Sequence, residues 1–436
     1  MIKFYSVLAK LIRFSSILVG KKGTDLPGKI LRKLDKNILN KLSNQFNEIV
    51  FITGTNGKTT TSNLIGHTLK KSGFNIINNF EGANMLDGII STFAIQSKPD
   101  TKIAIIEIDE GSIKKVMNYI IPTKFVFNNF FRDQIDRFGE IDTLINTIAD
   151  EIKDKDIQLI LNSDDPFVNR LSKYGKNNVY FGIKDGAYKF QDIGITESKF
   201  CPVCSNKLNY SHINYSQLGN YSCDNCSFKR VEPDYEVTLA EVNPIINLSI
   251  NNEGLFSTNQ LGDFNIYNLI SAYATLKVLG LSEEEIKKGI STYSSNNGRM
   301  QILKNSKEAM TLINLAKNPA GMNVSLSMAN TINKNSAINY LIVLNDNGAD
   351  GFDISWIWDS NFEILKKQNI ANIICAGKRA KDLALRIKYA DIKTEIFVEE
   401  NIKLAVKKLK NLNSEYNIVI PNYTALVETQ KELESR

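Results

Sequence analysis

Long apolar runs are missing from this sequence of 436 residues. No window of about 18 uncharged apolar residues occurs, so we expect no membrane-spanning helix. Internal repeats and low-complexity tracts are also absent, and a repeat architecture is therefore not indicated. The 53 basic and 47 acidic residues leave a net charge of +6, which is too diffuse to indicate a nucleic-acid partner by itself. The length predicts two or three domains with ample core.

Histidine and unpaired cysteine are scarce as well. The two histidines are His67 and His212, and four of the five cysteines form two Cys-x-x-Cys pairs. The fifth, Cys375, falls in a predicted strand and is expected to be a buried hydrophobic side chain. The chain is therefore not expected to supply a cysteine nucleophile with a histidine base.

The cysteine pairs are Cys201 with Cys204 and Cys223 with Cys226, separated by 18 residues. Four thiolates at this spacing predict a tetrahedral zinc site of the ribbon kind. A ribbon can be a structural staple, or it can bind nucleic acid or a protein partner. We favour the staple because no basic cluster is interleaved with the neighbouring aromatic residues. Those residues are expected to form the small core of the ribbon: Tyr210, Tyr215, Tyr221 and Phe228.

Residues 49–61 organise the rest of the chain. Residues 49–52 predict a buried parallel strand and residues 62–69 a helix. The glycines between them permit a tight turn, so backbone N–H groups and the helix N-terminus can face a phosphate. Lys58 would reach the outer phosphates and Thr59 would hold Mg²⁺. The predicted nucleotide-binding residues are Gly54, Thr55, Asn56, Gly57, Lys58, Thr59 and Thr60.

This loop is two residues shorter than the usual phosphate loop. The usual spacing requires a first glycine at position 52, where this chain has Ile52. The alternative is a glycine turn without a ligand, which the flanking strand and helix disfavour.

The pattern then alternates strands and helices, which predicts an α/β fold with a parallel sheet. Residues 75–79, 103–108, 125–128 and 158–161 are the predicted strands. Glu107 lies inside the second of them, where a charge is costly unless it is paired or binds a metal. Polar residues follow the last two strands, at the edge where open α/β sheets bind ligands. Each of them can equally be an ordinary turn or cap.

A second α/β domain of Rossmann-like pattern is predicted after a boundary turn at residues 297–301. Its predicted strands are residues 313–315, 340–344, 370–375, 395–398 and 418–420. We therefore divide the chain into an N-terminal helical segment (1–47), a central ATP-binding domain (48–298, with the ribbon insert at about 197–230) and a C-terminal domain (299–436).

The first 19 residues predict a basic amphipathic helix. Its polar stripe is Lys3, Ser6, Lys10 and Arg13, opposite Phe4, Leu8, Leu11, Ile12 and Leu18. Such a helix can lie on an anionic membrane or pack against its own domain, and packing is the expectation.

An acidic segment follows the predicted strand at residues 340–344. It carries both tryptophans, Trp356 and Trp358, and is interpreted either as core packing or as an interaction surface. Spacing alone does not choose among its four acids, Asp346, Asp350, Asp353 and Asp359.

Taken together, these residues resemble the Mur ligase family from about residue 48 to the end. Gly-Thr-Asn-Gly-Lys-Thr at 54–59 is similar to the family's short ATP loop, and Glu107 matches its Mg²⁺ carboxylate. Further segments resemble family motifs: Asn128 and Asn129 with Asp133 and residues 136–139, Asn265 and Asn268 near the adenine, Arg299 at the domain hinge, and residues 314–319.

At three points the sequence differs from these family motifs, and there it resembles one amidating branch of the family. Gln134 replaces a family histidine, Asn314 and Lys317 replace an aspartate and a histidine, and a four-cysteine insert is present. The resemblance implies ATP-dependent amidation of the D-glutamate α-carboxylate in the lipid II stem peptide. It implies ATP, Mg²⁺ and Zn²⁺ as cofactors and a glutaminase subunit, GatD, as the ammonia source. Asp353 would complete the catalytic triad of that partner.

We accordingly expect a cytoplasmic heterodimer that meets lipid II at the membrane surface and binds no nucleic acid. The first alternative is a Mur-type or folylpolyglutamate-type ligase that adds an amino acid. The second is a zinc-ribbon nucleic-acid NTPase, which the short loop and the diffuse charge disfavour.

Overall fold

The computed structural model describes residues 2–18, 23–131, 141–190, 198–243, 245–294, 301–304, 309–332, 335–348 and 350–435. The chain divides into two compact units. The first unit comprises Met1–Glu241, Asn247–Thr258 and Phe264–Tyr293, and the second comprises Val242–Ile246, Asn259–Asp263 and Ser294–Arg436.

A nine-stranded sheet carries the residues of the predicted nucleotide site. Its strands are β1 (Glu48–Thr53), β2 (Ile76–Asn78), β3 (Ile103–Glu107), β4 (Lys124–Phe127), β5 (Gln158–Asn162), β6 (Val179–Ile183), β9 (Tyr235–Asn243), β10 (Ile245–Ile250) and β11 (Phe256–Leu261). The order is β11-β10-β9-β6-β5-β4-β1-β3-β2. Every pairing from β2 to β9 is parallel. The four strands predicted beside the loop, and the parallel sheet, are confirmed.

The register brings the candidate residues to one edge. Ile52 of β1 pairs with Glu107 of β3 on one side and with Val126 of β4 on the other. The carboxyl ends of these three parallel strands therefore lie together, which is where open α/β sheets place ligands. Strands β1 and β4 are apolar and buried because helices cover both faces of such a sheet.

Helices account for most of the rest of the first unit. They are α1 (Ile2–Leu18), α2 (Leu26–Leu34), α3 (Ile38–Ser43), α4 (Lys58–Lys71), α5 (Leu86–Gln96), α6 (Ile113–Met117), α7 (Ile141–Ile152), α8 (Pro166–Asn169), α9 (Asn265–Val278) and α10 (Glu283–Thr292). Short 3₁₀ turns occur at Glu110–Ser112 and Ser172–Tyr174. Among the described helices, none is both long and apolar enough to cross a bilayer.

The N-terminal helices share the core of the sheet. Ala9, Leu31 and Leu39 are buried in the same apolar cluster as Phe51 of β1 and Phe125 of β4. The expected packing of α1 on its own domain is thus confirmed for one face of the helix. Phe4, Leu11 and Leu18, which were expected on the packed stripe, are instead exposed.

A hairpin of β7 (Asn209–Tyr215) and β8 (Leu218–Ser222) lies between the four cysteines in sequence. The two strands are antiparallel, with register shifts between Tyr210 and His212 and between Ile213 and Tyr215. This arrangement agrees with the predicted ribbon.

The second unit contains a six-stranded sheet. Its strands are β12 (Gln301–Lys304), β13 (Met310–Ile313), β14 (Ile338–Val343), β15 (Ile370–Ala376), β16 (Glu395–Glu399) and β17 (Tyr416–Pro421). They are ordered β12-β13-β17-β14-β15-β16 across the sheet. Its helices are α11 (Pro319–Ser327), α12 (Ala380–Tyr389), α13 (Ile402–Asn411) and α14 (Leu426–Glu434), and its 3₁₀ turns are Met328–Thr331, Ser355–Trp358 and Phe362–Lys367. All pairings are parallel except β12 with β13.

Two predictions for the second sheet need correction. The strand expected at residues 313–315 ends at Ile313, and Gln301, placed in a boundary turn, begins the edge strand β12. The prediction for Cys375 is confirmed, because its side chain is buried in β15 and burial raises its thiol pKa to about 12. Such a thiol is not a nucleophile at neutral pH.

Candidate nucleotide site and zinc ribbon

The predicted phosphate loop connects β1 to α4. Gly54 and Gly57 have φ angles of 137° and 83°, which L side chains rarely adopt. Gly57 is the N-cap of α4, so Lys58, Thr59 and Thr60 form its first turn and present free backbone N–H groups there. These donors and the positive end of the helix dipole make an anion site.

The segment that follows β4, residues 128–131, holds this loop in place; we call it the β4 extension. Thr55 N donates to Asn129 O (2.9 Å), and Asn56 N donates to the Asn129 side-chain oxygen (2.9 Å). The Asn129 amide returns a bond to Asn56 O (3.2 Å). Phe131 N donates to Thr55 Oγ1 (2.9 Å), whose hydroxyl donates to Phe131 O (3.2 Å). Two adjacent chain segments thus satisfy each other's polar groups.

Asn128 links the β4 extension to two helices. Its side-chain amide donates to Thr61 Oγ1 in α4 (3.0 Å), and its side-chain oxygen accepts from Ser271 Oγ in α9 (2.7 Å). The side chain is buried, so both bonds contribute to fixing the loop relative to α9. Asp165 caps α8 through Phe167 N and also accepts from Phe130 N (2.8 Å). Asp165 is therefore a helix cap, which is one of the two roles that the sequence left open for polar residues after a strand.

Lys58 has defined partners at the start of α4. Its Nζ donates to the carbonyl oxygens of Gly54 and Thr55 and lies 3.0 Å from Glu110 Oε2. Both members of this ion pair are largely buried. Sequence patterns did not single out Glu110, although it lies three residues after Glu107. Polar residues just past a strand are candidate site residues elsewhere in the sequence. The same criterion, applied after the strand that contains Glu107, would have identified Glu110.

Glu107 has the surroundings expected of a metal-binding carboxylate. Its Oε1 accepts from Asn84 Nδ2 (2.9 Å), whereas its Oε2 is buried without a hydrogen-bond partner among the described residues. Asn79 fixes the backbone, because its side chain bonds both Glu107 N and Glu107 O (2.8 Å each). A buried carboxylate oxygen without a partner is costly unless a cation completes it. Asn84 and Asn79 carried no sequence signal.

The remaining predicted site residues fall into two groups. Asn268 lies beside the loop: a Cβ added at Gly57 would come within 1.9 Å of its Oδ1, and its amide donates to Asn265 Oδ1 (2.7 Å). Both asparagines lie within the first turn of α9. Arg299, Asp133, Gln134 and residues 136–139 lie outside the described residues.

The four ribbon cysteines converge as predicted. Their Sγ atoms all lie within 4.8 Å of one another, with Cys201 to Cys226 at 3.6 Å and Cys204 to Cys223 at 3.4 Å. Tetrahedral zinc with Zn–S bonds of about 2.3 Å requires sulfurs about 3.8 Å apart. Four cysteine thiolates are a donor set that structural zinc prefers. Geometry and donor chemistry therefore both fit a zinc ion.

The ribbon core differs from the prediction at one residue. Tyr221 is buried with Leu208 and the cysteines, and Tyr210 and Phe228 pack against them. Tyr215, also expected there, instead packs edge-on against Phe131 of the β4 extension, with ring centroids 5.9 Å apart. The hairpin thus also contacts the β4 extension through Tyr215.

Hydrogen bonds join the hairpin to the ligand edge of the sheet. Gln217 Nε2 donates to Phe130 O in the β4 extension (2.8 Å), and Tyr221 Oη donates to Ser163 O after β5 (3.1 Å). Arg230, just past the last cysteine, pairs with the fully buried Asp164 at 2.7 Å. Burial raises the pKa of Asp164, and the guanidinium opposes this shift. The ribbon therefore braces the segment that holds the phosphate loop.

The acidic segment of the second unit has one anchored end. Asp350 accepts from Thr424 N (2.9 Å) and from the Thr424 hydroxyl, and Asp346 lies 3.5 Å from Arg379. Asp353 is exposed and accepts from the Ser355 backbone N–H (2.8 Å). This bond caps the following turn and lowers the pKa of Asp353. The neighbouring Phe352 is 82% exposed.

Comparison with known proteins assigns the family. Residues 52–276 match the Mur ligase middle domain, so the class is an ATP-dependent ligase of the Mur type. Residues 315–426 match the model described as MurT ligase C-terminal. The pseudomurein peptide ligase type C of Methanothermus fervidus has the same fold, with a TM-score of 0.67 and 24% identity, over 93% of this chain and 84% of that one.

Relatives that match nearly the whole chain include two subunits of the same name. The Staphylococcus aureus (strain COL) lipid II isoglutaminyl synthase (glutamine-hydrolyzing) subunit MurT is 52% identical, over 98% of this chain and 96% of the relative. The subunit of the same name from Streptococcus pneumoniae (strain ATCC BAA-255 / R6) is 35% identical, over 95% and 93%. The chain belongs to the MurT family of Mur ligases.

The first prediction concerns the ribbon metal. Protein purified without chelator should contain one zinc ion per chain, because one cluster of four thiolates is present among the described residues. Cys201→Ser should lose that zinc, and Cys375→Ala should keep it. Elemental analysis that finds no zinc in the unmodified protein, or equal zinc in both variants, would contradict the assignment.

The second prediction concerns Gln217. Gln217→Met should leave Phe130 O without its donor and loosen the β4 extension, weakening ATP binding about three- to tenfold. Zinc content should be unchanged. Asn220→Ala is the matched control, because Asn220 lies on the same hairpin but bonds Asp185. Titration calorimetry that gives equal ATP affinity for Gln217→Met and the control would show that the hairpin does not position the loop.

Proposed function

We propose that this chain is the ligase subunit of an enzyme that amidates the D-glutamate α-carboxylate of the lipid II stem peptide. The product would be D-isoglutamine, formed with consumption of ATP through an acyl-phosphate, with ammonia supplied by a separate GatD-like glutaminase. The proposal rests on one observation: the chain has both a predicted phosphate loop and a buried Glu107 oxygen without a hydrogen-bond partner among the described residues. The chain is also 52% identical to a MurT subunit.

The site residues suit phosphoryl transfer to a carboxylate. Lys58 and the first-turn N–H groups of α4 would bind the phosphates of ATP, and Lys58 would counter the charge that develops on the transferred group. Thr59 and Glu107 would hold Mg²⁺, which when bound neutralises phosphate charge. Glu110 keeps the Lys58 ammonium at the loop before the nucleotide arrives.

Phosphorylation solves the problem that a carboxylate is a poor acyl donor. An oxygen of the D-glutamate carboxylate attacks the γ-phosphorus, the bond to the β,γ-bridging oxygen breaks, and ADP leaves. Ammonia then attacks the carbonyl carbon, the carbon–oxygen bond to phosphate breaks, and nitrogen loses a proton. The products are the amide and inorganic phosphate. Positioning and charge stabilisation are the contributions required of the protein.

The ammonia source is expected on another chain. A glutaminase needs a cysteine nucleophile and a histidine base, often with an acid that orients the histidine. Four cysteines converge in the predicted zinc site, and Cys375 is buried with a raised pKa. His67 lies in α4 and packs edge-on against Tyr293, and His212 lies in the ribbon hairpin. This chain can nevertheless supply the acid.

Asp353 is the best placed of the four acids for that role. Asp350 anchors the segment through Thr424, and Asp346 is paired with Arg379. Asp353 is exposed beside Phe352, and the Ser355 N–H favours its ionised form. An ionised, exposed carboxylate next to an exposed aromatic side chain suits contact with a histidine of a partner subunit. The remaining exposed acid, Asp359, provides a control.

The proposed substrate is anchored in a bilayer by its lipid. We therefore propose a cytoplasmic enzyme that works at the inner membrane surface, where the stem peptide projects into water.

The third prediction tests the phosphate loop. Lys58→Ala should lower ATP-dependent amidation by at least about 100-fold, because it removes the cation that faces the transferred phosphate. Lys71→Ala, at the opposite end of the same helix, should retain activity. ADP release and amide formation are measured together on lipid II with ammonium chloride. Near-normal amidation by folded Lys58→Ala would refute the assignment, and ADP release that requires an amino acid would favour the amino-acid ligase.

The fourth prediction tests the shared triad. In the complex with the glutaminase, Asp353→Asn should reduce glutamine hydrolysis by at least about 100-fold, because the partner histidine loses its orienting acid. Amidation with ammonium chloride, ATP binding and complex formation should persist. Asp359→Asn makes the same charge change in the same segment and should behave as the unmodified protein. Wild-type glutamine hydrolysis by the Asp353→Asn complex would exclude the role.

A further inference from the structure

Helix α1 has a second apolar face that its own domain does not cover. Ala9 and Ser16 are buried against the first unit, and Tyr5, Leu8 and Ile12 are partly buried on the same side. On the other side, six large apolar side chains are between 52% and 71% exposed. We call them the α1 stripe: Phe4, Val7, Leu11, Phe14, Ile17 and Leu18.

The α1 stripe is continuous. Five of its members follow one another at intervals of three or four residues, and Leu18 is next to Ile17, so they share one side of the helix. At 1.5 Å per residue the stripe is about 20 Å long. Single exposed apolar residues need no explanation, but a contiguous run of six on one helix indicates an interaction surface.

The charges around the stripe are of one sign. Lys3 and Lys10 are exposed and make no ion pair within the described residues. At about 100° per residue both lysines fall on the same margin of the stripe. Neither α1 nor α2 contains an aspartate or glutamate. This face therefore offers apolar area and cations together.

Other cations fix the helices in place. Arg13 pairs with Glu81 at 2.6 Å, and Arg32 of α2 pairs with Asp87 of α5 at 2.7 Å. With the buried Ala9 face, these contacts set which side of α1 looks outward. The α1 stripe is therefore held in a fixed orientation on the surface of the first unit.

We infer that the α1 stripe lies in the headgroup region of an anionic phospholipid bilayer, with Lys3 and Lys10 at the acidic headgroups. An interfacial helix requires an apolar face flanked by basic residues, which is the arrangement found here. A second copy of this chain is a poorer occupant, since α1 offers no acid to pair with the lysines that such contact would cover. The inference agrees with the lipid-linked substrate of the proposed function, on which it rests for its biological purpose.

Vesicle flotation with the purified full chain tests the surface directly. The probes are vesicles of phosphatidylglycerol and phosphatidylcholine in equal parts, and vesicles of phosphatidylcholine alone. The vesicles contain no lipid II, and no nucleotide is added, so the result does not depend on ligase activity. The protein should float with the anionic vesicles and much less with the neutral ones.

Variants assign the binding to the stripe. Leu11→Ser with Phe14→Ser should weaken partitioning at least about tenfold, because two exposed apolar side chains are lost. Lys3→Glu with Lys10→Glu should abolish the preference for anionic vesicles. Val427→Ser is the matched control, since Val427 is a 72% exposed apolar residue on α14. All substituted positions are exposed on helices, and thermal unfolding checks that the fold is kept.

Three outcomes would overturn the inference. One is failure of the unmodified chain to float with anionic vesicles. Another is flotation of Leu11→Ser with Phe14→Ser equal to that of Val427→Ser. The third is sedimentation, without vesicles, of a dimer that this double variant abolishes, which would assign the stripe to a second copy. If flotation succeeds while amidation of lipid II fails, the proposed function falls and the membrane surface stands.

Discussion

The hydrogen bonding between the phosphate loop and the β4 extension is the constraint on which the rest of the site depends. The loop turns at Gly54 and Gly57 through backbone angles that favour glycine, so its backbone groups are not paired within a helix or strand. Residues 55 and 56 therefore take their partners from Asn129 and Phe131, and Asn128 ties the same segment to α4 and α9. The N-terminus of α4 is consequently held in one conformation, which suits the anion site proposed there.

The ribbon extends this support from the far side of the β4 extension. Gln217 and Tyr215 contact residues 130 and 131, while Arg230 neutralises the buried Asp164 beside the end of β5. A buried ion pair adds little net stability, but loss of either partner leaves an uncompensated charge. A metal bound by the four cysteines would therefore act on the proposed nucleotide site through packing and hydrogen bonds. The role first assigned to the ribbon, a structural staple, becomes more specific: the residues it braces are those that hold the loop.

Sequence patterns predicted the parts that short-range physics determines. Strand β1, the glycine turn and α4 follow from local periodicity, and the cluster of four cysteines follows from their spacing. Sequence patterns missed three sets of contacts, because each joins residues far apart in the chain. These are the bonds of Asn129 to the loop, the packing of Tyr215 on Phe131 instead of in the ribbon core, and the bonds of Asn79 and Asn84 to Glu107. For α1, the spacing of apolar residues along the helix identified an apolar side. It could not show that the first unit would partly bury Leu8 and Ile12 and leave Leu11 exposed. Strand β12 was missed since four residues carry too little pattern.

We propose that the substrate carboxylate is activated by phosphorylation before ammonia attacks. Lipid II stem peptide with both oxygens of the D-glutamate α-carboxylate labelled with ¹⁸O tests this directly, when the complex turns over with ATP and glutamine. The inorganic phosphate is then analysed by mass spectrometry. An acyl-phosphate route transfers one ¹⁸O to phosphate for each amide formed. Unlabelled phosphate, with one label kept in the amide and the other released into water, would exclude this route.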